Sequence, residues 1–117
     1  MEFNIRNYYI KPGYTDMRQG INGLMNTVIG EMALDPLGGD LFVFSGRDHS
    51  SIKMLYWSGD GFWLLQKRLS RYTFAWPKSE LEVLHITEEE LSMLLRGIDC
   101  WRTHAVLDAA KTRKKKL

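Results

Sequence analysis

LYWSGDGFWLLQKRL, residues 55–69, holds the break on which the fold depends. Its centre, SGDG at 58–61, has the composition of a phosphate loop, a metal loop or a turn between strands. A phosphate loop needs glycines that open onto a helix N-terminus, where free N–H groups point at the anion. Here the glycines lead into FWLLQKRL, a strand pattern, and the chain has neither GxxxxGK[ST] nor GxGxxG. A calcium loop needs alternating oxygen ligands and a distant Glu, and of those carboxylates the stretch has Asp60 alone. The stretch therefore reads as a β-hairpin, with Asp60 and Gly61 suited to the positive φ values of a tight turn.

A four-residue loop sets Trp57 opposite Phe62, Tyr56 opposite Trp63, Leu55 opposite Leu64 and Lys53 opposite Gln66. A tighter turn at Gly59-Asp60 keeps these pairs, whereas an odd-length loop slips every side chain to the other face. One face then carries Ile52, Met54, Tyr56, Trp63, Leu65 and Leu69. This is the expected core face, against which the helices pack, with Lys67 at its margin reaching for water. The other face carries Leu55, Trp57, Phe62 and Leu64 near the turn and Lys53, Gln66 and Arg68 further away. Exposed apolar patches of that kind mark contacts, so Trp57 and Phe62 are the candidate partner-binding pair.

Outward from the hairpin, DLFVFSG (40–46), IKMLYW (52–57), FWLLQKRL (62–69) and YTFAW (72–76) predict a run of strands separated by turn residues, an antiparallel meander. YYIK (8–11) and LEVLHI (81–86) add short strands. Two helices flank this run. The first starts at Asp16 as N-cap with Gln19 as its capping-box partner, and Met17, Ile21, Leu24, Val28 and Met32 form its apolar stripe. The second is capped by Thr87 with Glu90 three residues on, and Ile86 and Leu91 fit a hydrophobic staple. Its stripe is Leu91, Leu94, Leu95 and Ile98, and Gly97 ends it. The expected architecture is α+β: an antiparallel β-meander packed by two helices in one domain over 1–101, then a basic tail over 102–117. Residues 105–111 have modest helical propensity, and TRKKKL is expected to be disordered.

The 117 residues suffice for one core. No stretch reaches the roughly 18 apolar residues of a membrane span, the N-terminus lacks a signal-peptide h-region, and one cysteine, Cys100, excludes an internal disulfide. A cytoplasmic protein is expected. The net charge of +2 is uneven: residues 41–78 hold six basic and two acidic groups, 79–101 hold one basic and six acidic, and 102–117 hold six basic and one acidic. Basic segments in two places suggest contact with a polyanion. Catalytic patterns are missing. His49, His85 and His104 lack metal-ligand spacing, Ser45, Ser50 and Ser58 sit in no nucleophile elbow, and Glu88, Glu89 and Glu90 radiate around a helical turn where they favour the dipole. Neither a metal, a cofactor, a small-molecule substrate nor a catalytic residue is expected.

YTDMRQGINGL (14–24), DPLGGDLFVF (35–44), IKMLYWSGDGFWLLQKRL (52–69) with FAWP (74–77), and LHITEEELSMLLRGID (84–99) together resemble the TnpB-type accessory proteins, the second-reading-frame products of the insertion-sequence-sixty-six group of bacterial transposable elements. The likeness runs from about residue 8 to 101. The family pattern has Pro where this chain has Tyr14, Arg or Asn at Ser45, YKRL where this chain has Gln66-Lys67-Arg68-Leu69, and GIDW where Cys100 intervenes. Such proteins are encoded beside a separate transposase, so the resemblance implies a non-enzymatic accessory factor in transposition that contacts DNA, the transposase or both. On DNA, Arg18, Arg47, Lys53, Lys67, Arg68, Arg71 and Lys78 would mostly contact phosphates, with Trp57 stacking on unpaired bases. The alternative is a protein–protein adaptor that docks on the transposase or another protein of the same element through the Trp57/Phe62 face without touching DNA.

Overall fold

The hairpin has the register its turn dictates. A computed structural model describes residues 3–78 and 83–98, and in it β3 (Ser51–Trp57) lies antiparallel to β4 (Phe62–Arg68). Trp57 pairs with Phe62, Tyr56 with Trp63, Leu55 with Leu64 and Lys53 with Gln66. The Ser58 N–H donates to the Gly61 carbonyl at 3.0 Å, which leaves Gly59 and Asp60 at the tip. Gly59 takes φ +100°, the sign a type II′ turn requires at its first central residue. The left-handed backbone thus falls on Gly59 rather than on Asp60 or Gly61. Ser58 Oγ donates to Asp60 Oδ1 at 2.8 Å and braces the tip.

The sheet is five-stranded, in the order β4-β3-β2-β1-β5, where β1 is Tyr8–Ile10, β2 is Leu41–Ser45 and β5 is Leu84–Ile86. The α+β class holds, and β2, β3 and β4 form the expected meander. The sheet as a whole is mixed, because β1 lies parallel to β2 and antiparallel to β5. Parallel neighbours need a crossover, and helix α1 (Ile21–Gly30) lies in the connection between β1 and β2. YTFAW is not a strand. The chain leaves β4 at one edge and re-enters at β5 on the opposite edge, so residues 69–78 must cross the sheet. On the way Phe74 is buried, its N–H donates to the His49 carbonyl at 2.7 Å, and Trp76 Nε1 donates to the Lys11 carbonyl at 3.1 Å.

Both faces of the sheet are covered, which corrects the expectation of one core face. Ile10, Leu41, Val43, Ile52, Tyr56, Phe74 and Ile86 pack with Leu91 and Leu94 of α2 (Glu88–Leu95). Phe42, Phe44 and Leu55 pack with Leu24, Val28 and Met32 on α1 and at its end. The two helices therefore sit on opposite faces. The apolar run Leu41–Phe44 carries the signal: all four residues are buried, as in a strand enclosed from both sides.

Helix α1 starts later than expected. Gly20, not Asp16, is its N-cap, with no side-chain cap bond. Asp16 instead closes a turn, its Oδ1 accepting from the Arg18 N–H at 2.9 Å. Gln19 spends its Oε1 on the Thr27 hydroxyl and lies 3.1 Å from where a Cβ on Gly23 would stand. Helix α2 keeps its expected cap and stop: Thr87 and Glu90 form the full capping box, and Gly97 turns away with φ +78°; Ile98, expected in its buried stripe, lies past the helix end and is exposed. Among the described residues no helix is long and apolar enough to cross a membrane. Cys100, Trp101, His104 and the basic tail lie outside the described residues.

Candidate nucleic-acid interface

Three chain segments meet at the end of the sheet where β2 gives way to the loop 46–50. The Thr15 N–H donates to the Ser45 carbonyl at 2.7 Å and docks the TDMR turn against the end of β2. The loop itself is shaped by Gly46, where a Cβ would come within 2.8 Å of Met17 Cγ, and by His49, which takes φ +57°. Ser45 Oγ lies 3.1 Å from His49 Nδ1, so this histidine serves the loop. Asp48 Oδ1 accepts the Ser50 N–H at 3.1 Å. The pairing of Ser51 with Arg68 brings the last residue of β4 to the same place.

The result is a cleft of 590 Å³ lined by Tyr14, Thr15, Asp16, Arg18, Arg47, Asp48 and Arg68 among others. A smaller hollow of 240 Å³ adjoins it, lined by His49, Trp76, Pro77 and Lys78 together with Tyr14 and Arg47, which border both. Arg47 lies with its guanidinium carbon 4.5 Å from the Tyr14 ring centroid, and its Nη2 donates to Tyr14 Oη at 3.1 Å. Such a cation–π contact holds both planar groups in place.

Arg18 grips Asp16 as a fork, Nε to Oδ1 at 3.0 Å and Nη2 to Oδ2 at 2.8 Å. The hydrogen bonds from Arg18 hold the Asp16 carboxyl down to about 2, and the same pair raises Arg18 above its ordinary value. The Asp48 carboxyl is lowered, chiefly by its bond from the Ser50 N–H and, to a lesser degree, by the charge of Arg68. Both aspartates stay ionised through the neutral range, so three arginine charges face two carboxylates in the cleft.

Of the basic residues singled out in the sequence, Arg18, Arg47, Arg68 and Lys78 border these two hollows. Lys53 and Lys67 are engaged elsewhere: Lys53 Nζ donates to the Gln19 carbonyl at 2.8 Å, and Lys67 Nζ donates to the Leu95 carbonyl at 2.6 Å. The second contact places a cation at the C-terminal end of α2, where the helix dipole favours it. Arg71 is exposed in the stretch after β4 and lines neither hollow. Trp57 and Phe62 stack edge to face at 4.9 Å, both are half-buried, and Phe62 packs against the core under α1. Sequence reasoning missed Tyr14, Thr15 and Trp76 as lining residues. The available signal was an aromatic directly before TDMR.

Among the described residues no group of three His, Cys, Asp or Glu side chains is placed to hold a metal ion. No solved structure matches the chain significantly. Two proteins of Sinorhizobium fredii are similar to it. "Uncharacterized protein y4hO" is 44% identical over 99 residues, covering 85% of this chain and 84% of that protein. "Uncharacterized protein y4jC" is 37% identical over 87 residues, covering 74% of each. The family described as IS66 Orf2 like protein matches residues 6–105. That span includes the TDMR turn, the sheet, both helices and every residue of the cleft, and the chain belongs to this IS66 Orf2-like family, whose role is accessory to transposition.

Proposed function

We propose that the protein is a non-enzymatic accessory factor that contacts DNA during transposition, through the arginine-bordered cleft at the end of the sheet. The observation that carries this reading is the convergence of Arg18, Arg47, Arg68 and Lys78 on one composite hollow in a chain of a transposition-associated family. Arginine is the side chain best shaped for phosphate oxygens, and clustered arginines give backbone contacts that position rather than specify.

A gel-shift titration with element-end DNA tests it. Binding is expected at low salt and should weaken as salt rises, because cations that neutralise phosphates release counterions. No binding at low salt overturns the reading. The adaptor role through Trp57 and Phe62 has less behind it, because the two rings spend surface on each other and Phe62 also packs against the core.

A further inference from the structure

We propose that the cleft takes one unpaired nucleotide of a DNA strand, its phosphate held by Arg18 and Arg68 and its base stacked on Tyr14. This rests on the DNA-contact reading above and names the form of DNA recognised. Tyr14 is 53% exposed although it borders two hollows. It is also held in place: Arg47 lies against the ring and bonds its hydroxyl, and the Tyr14 carbonyl accepts from Lys11 Nζ at 3.4 Å. An exposed aromatic beside arginines is a device by which proteins hold single strands, because every base offers a π-face. The arginine already on the ring adds a second planar surface.

The size and charge of the cleft favour one nucleotide over a phosphate track. The cleft is open to solvent, and its 590 Å³ lies in the roughly 300–1,000 Å³ range of small-molecule sites. A surface that follows a duplex backbone presents cations in succession, whereas here Asp16 and Asp48 stand among the three arginines and would repel a run of phosphates. Stacking moves with this to Tyr14, away from Trp57, which is half-buried against Phe62 at the hairpin tip.

Fluorescence polarisation of the full chain at low salt tests the proposal, using an element-end sequence as a labelled single strand and as a duplex. The wild type is expected to bind the single strand more tightly. Tyr14→Ala should weaken single-strand binding roughly tenfold or more, with much less effect on the duplex. Tyr14→Phe, which keeps the ring, should stay within about threefold of wild type. A thermal melt of each variant separates lost stacking from lost fold. If Tyr14→Ala folds and leaves single-strand affinity unchanged, or weakens both forms equally, the nucleotide site is wrong while DNA contact stands. If neither form binds the wild type, both readings fall.

Discussion

Asp16 illustrates how one side chain can be right in kind and wrong in role. An Asp three residues before a Gln at the head of an apolar stripe has the pattern of a capping box, yet the helix starts at Ile21. The carboxylate turns instead to the Arg18 N–H and guanidinium, a local Asx bond that competes with capping. The pair lies in the open, with the Arg18 side chain 91% exposed, so its value lies in orienting Arg18 and little in stability. The Asp16 carboxyl is lowered to about 2, first by the side-chain bonds from Arg18. A depressed folded-state value means that whatever the pair contributes is present above the unfolded value of 3.8 and is lost as pH falls through about 2. Arg18→Gln should therefore raise the Asp16 carboxyl toward 3.8, read by NMR titration of its side-chain carbon. An unchanged midpoint would mean that the fork does not form in solution.

At the scale of elements, the hairpin was the most legible part and its turn shows why. Parity of loop length decides which face each side chain takes, and SGDG offered an even loop under either turn type. The pairs followed without knowledge of any distant residue. What the composition did not assign was which tip residue bears the left-handed backbone. It is Gly59, at φ +100°, with nothing within 4 Å of a Cβ there, so a substitution meets no clash and acts through backbone strain alone. Gly59→Ala should lower stability by about 1 kcal/mol or somewhat more, whereas Gly61→Ala, at ordinary φ and with open space around it, should be close to neutral or slightly stabilising. Urea midpoints of the two variants check this. Equal losses would show that the turn is of another type.

For the whole molecule, the sequence was legible where neighbours in the chain fix the geometry and silent where distant segments choose partners. The α2 cap and stop, the hairpin and the apolar stripes were local readings. The parallel placement of Tyr8–Ile10 beside β2 was not, because a three-residue strand carries no mark of its neighbour. Nor was the Tyr14–Arg47 contact, whose members stand 33 residues apart. The two-faced core was readable in principle: LFVF does not alternate, and a strand with one wet face should. Trp57 and Phe62 on the same face carry the opposing signal, since paired aromatics at a hairpin tip also mark contact surfaces. The corrected arrangement makes a demand that a single-faced sheet does not. Leu24 under α1 and Leu94 under α2 are both fully buried, in separate clusters on opposite faces. Leu24→Ala and Leu94→Ala should each cost about 2–5 kcal/mol. Because the two sites share no cluster, their losses should add within about 0.5 kcal/mol in the double variant. Urea unfolding followed by tryptophan fluorescence measures all three. A Leu24→Ala loss well below 1 kcal/mol, beside a normal loss at Leu94, would mean that α1 does not close its face and would restore Phe62 and Leu64 as an open surface.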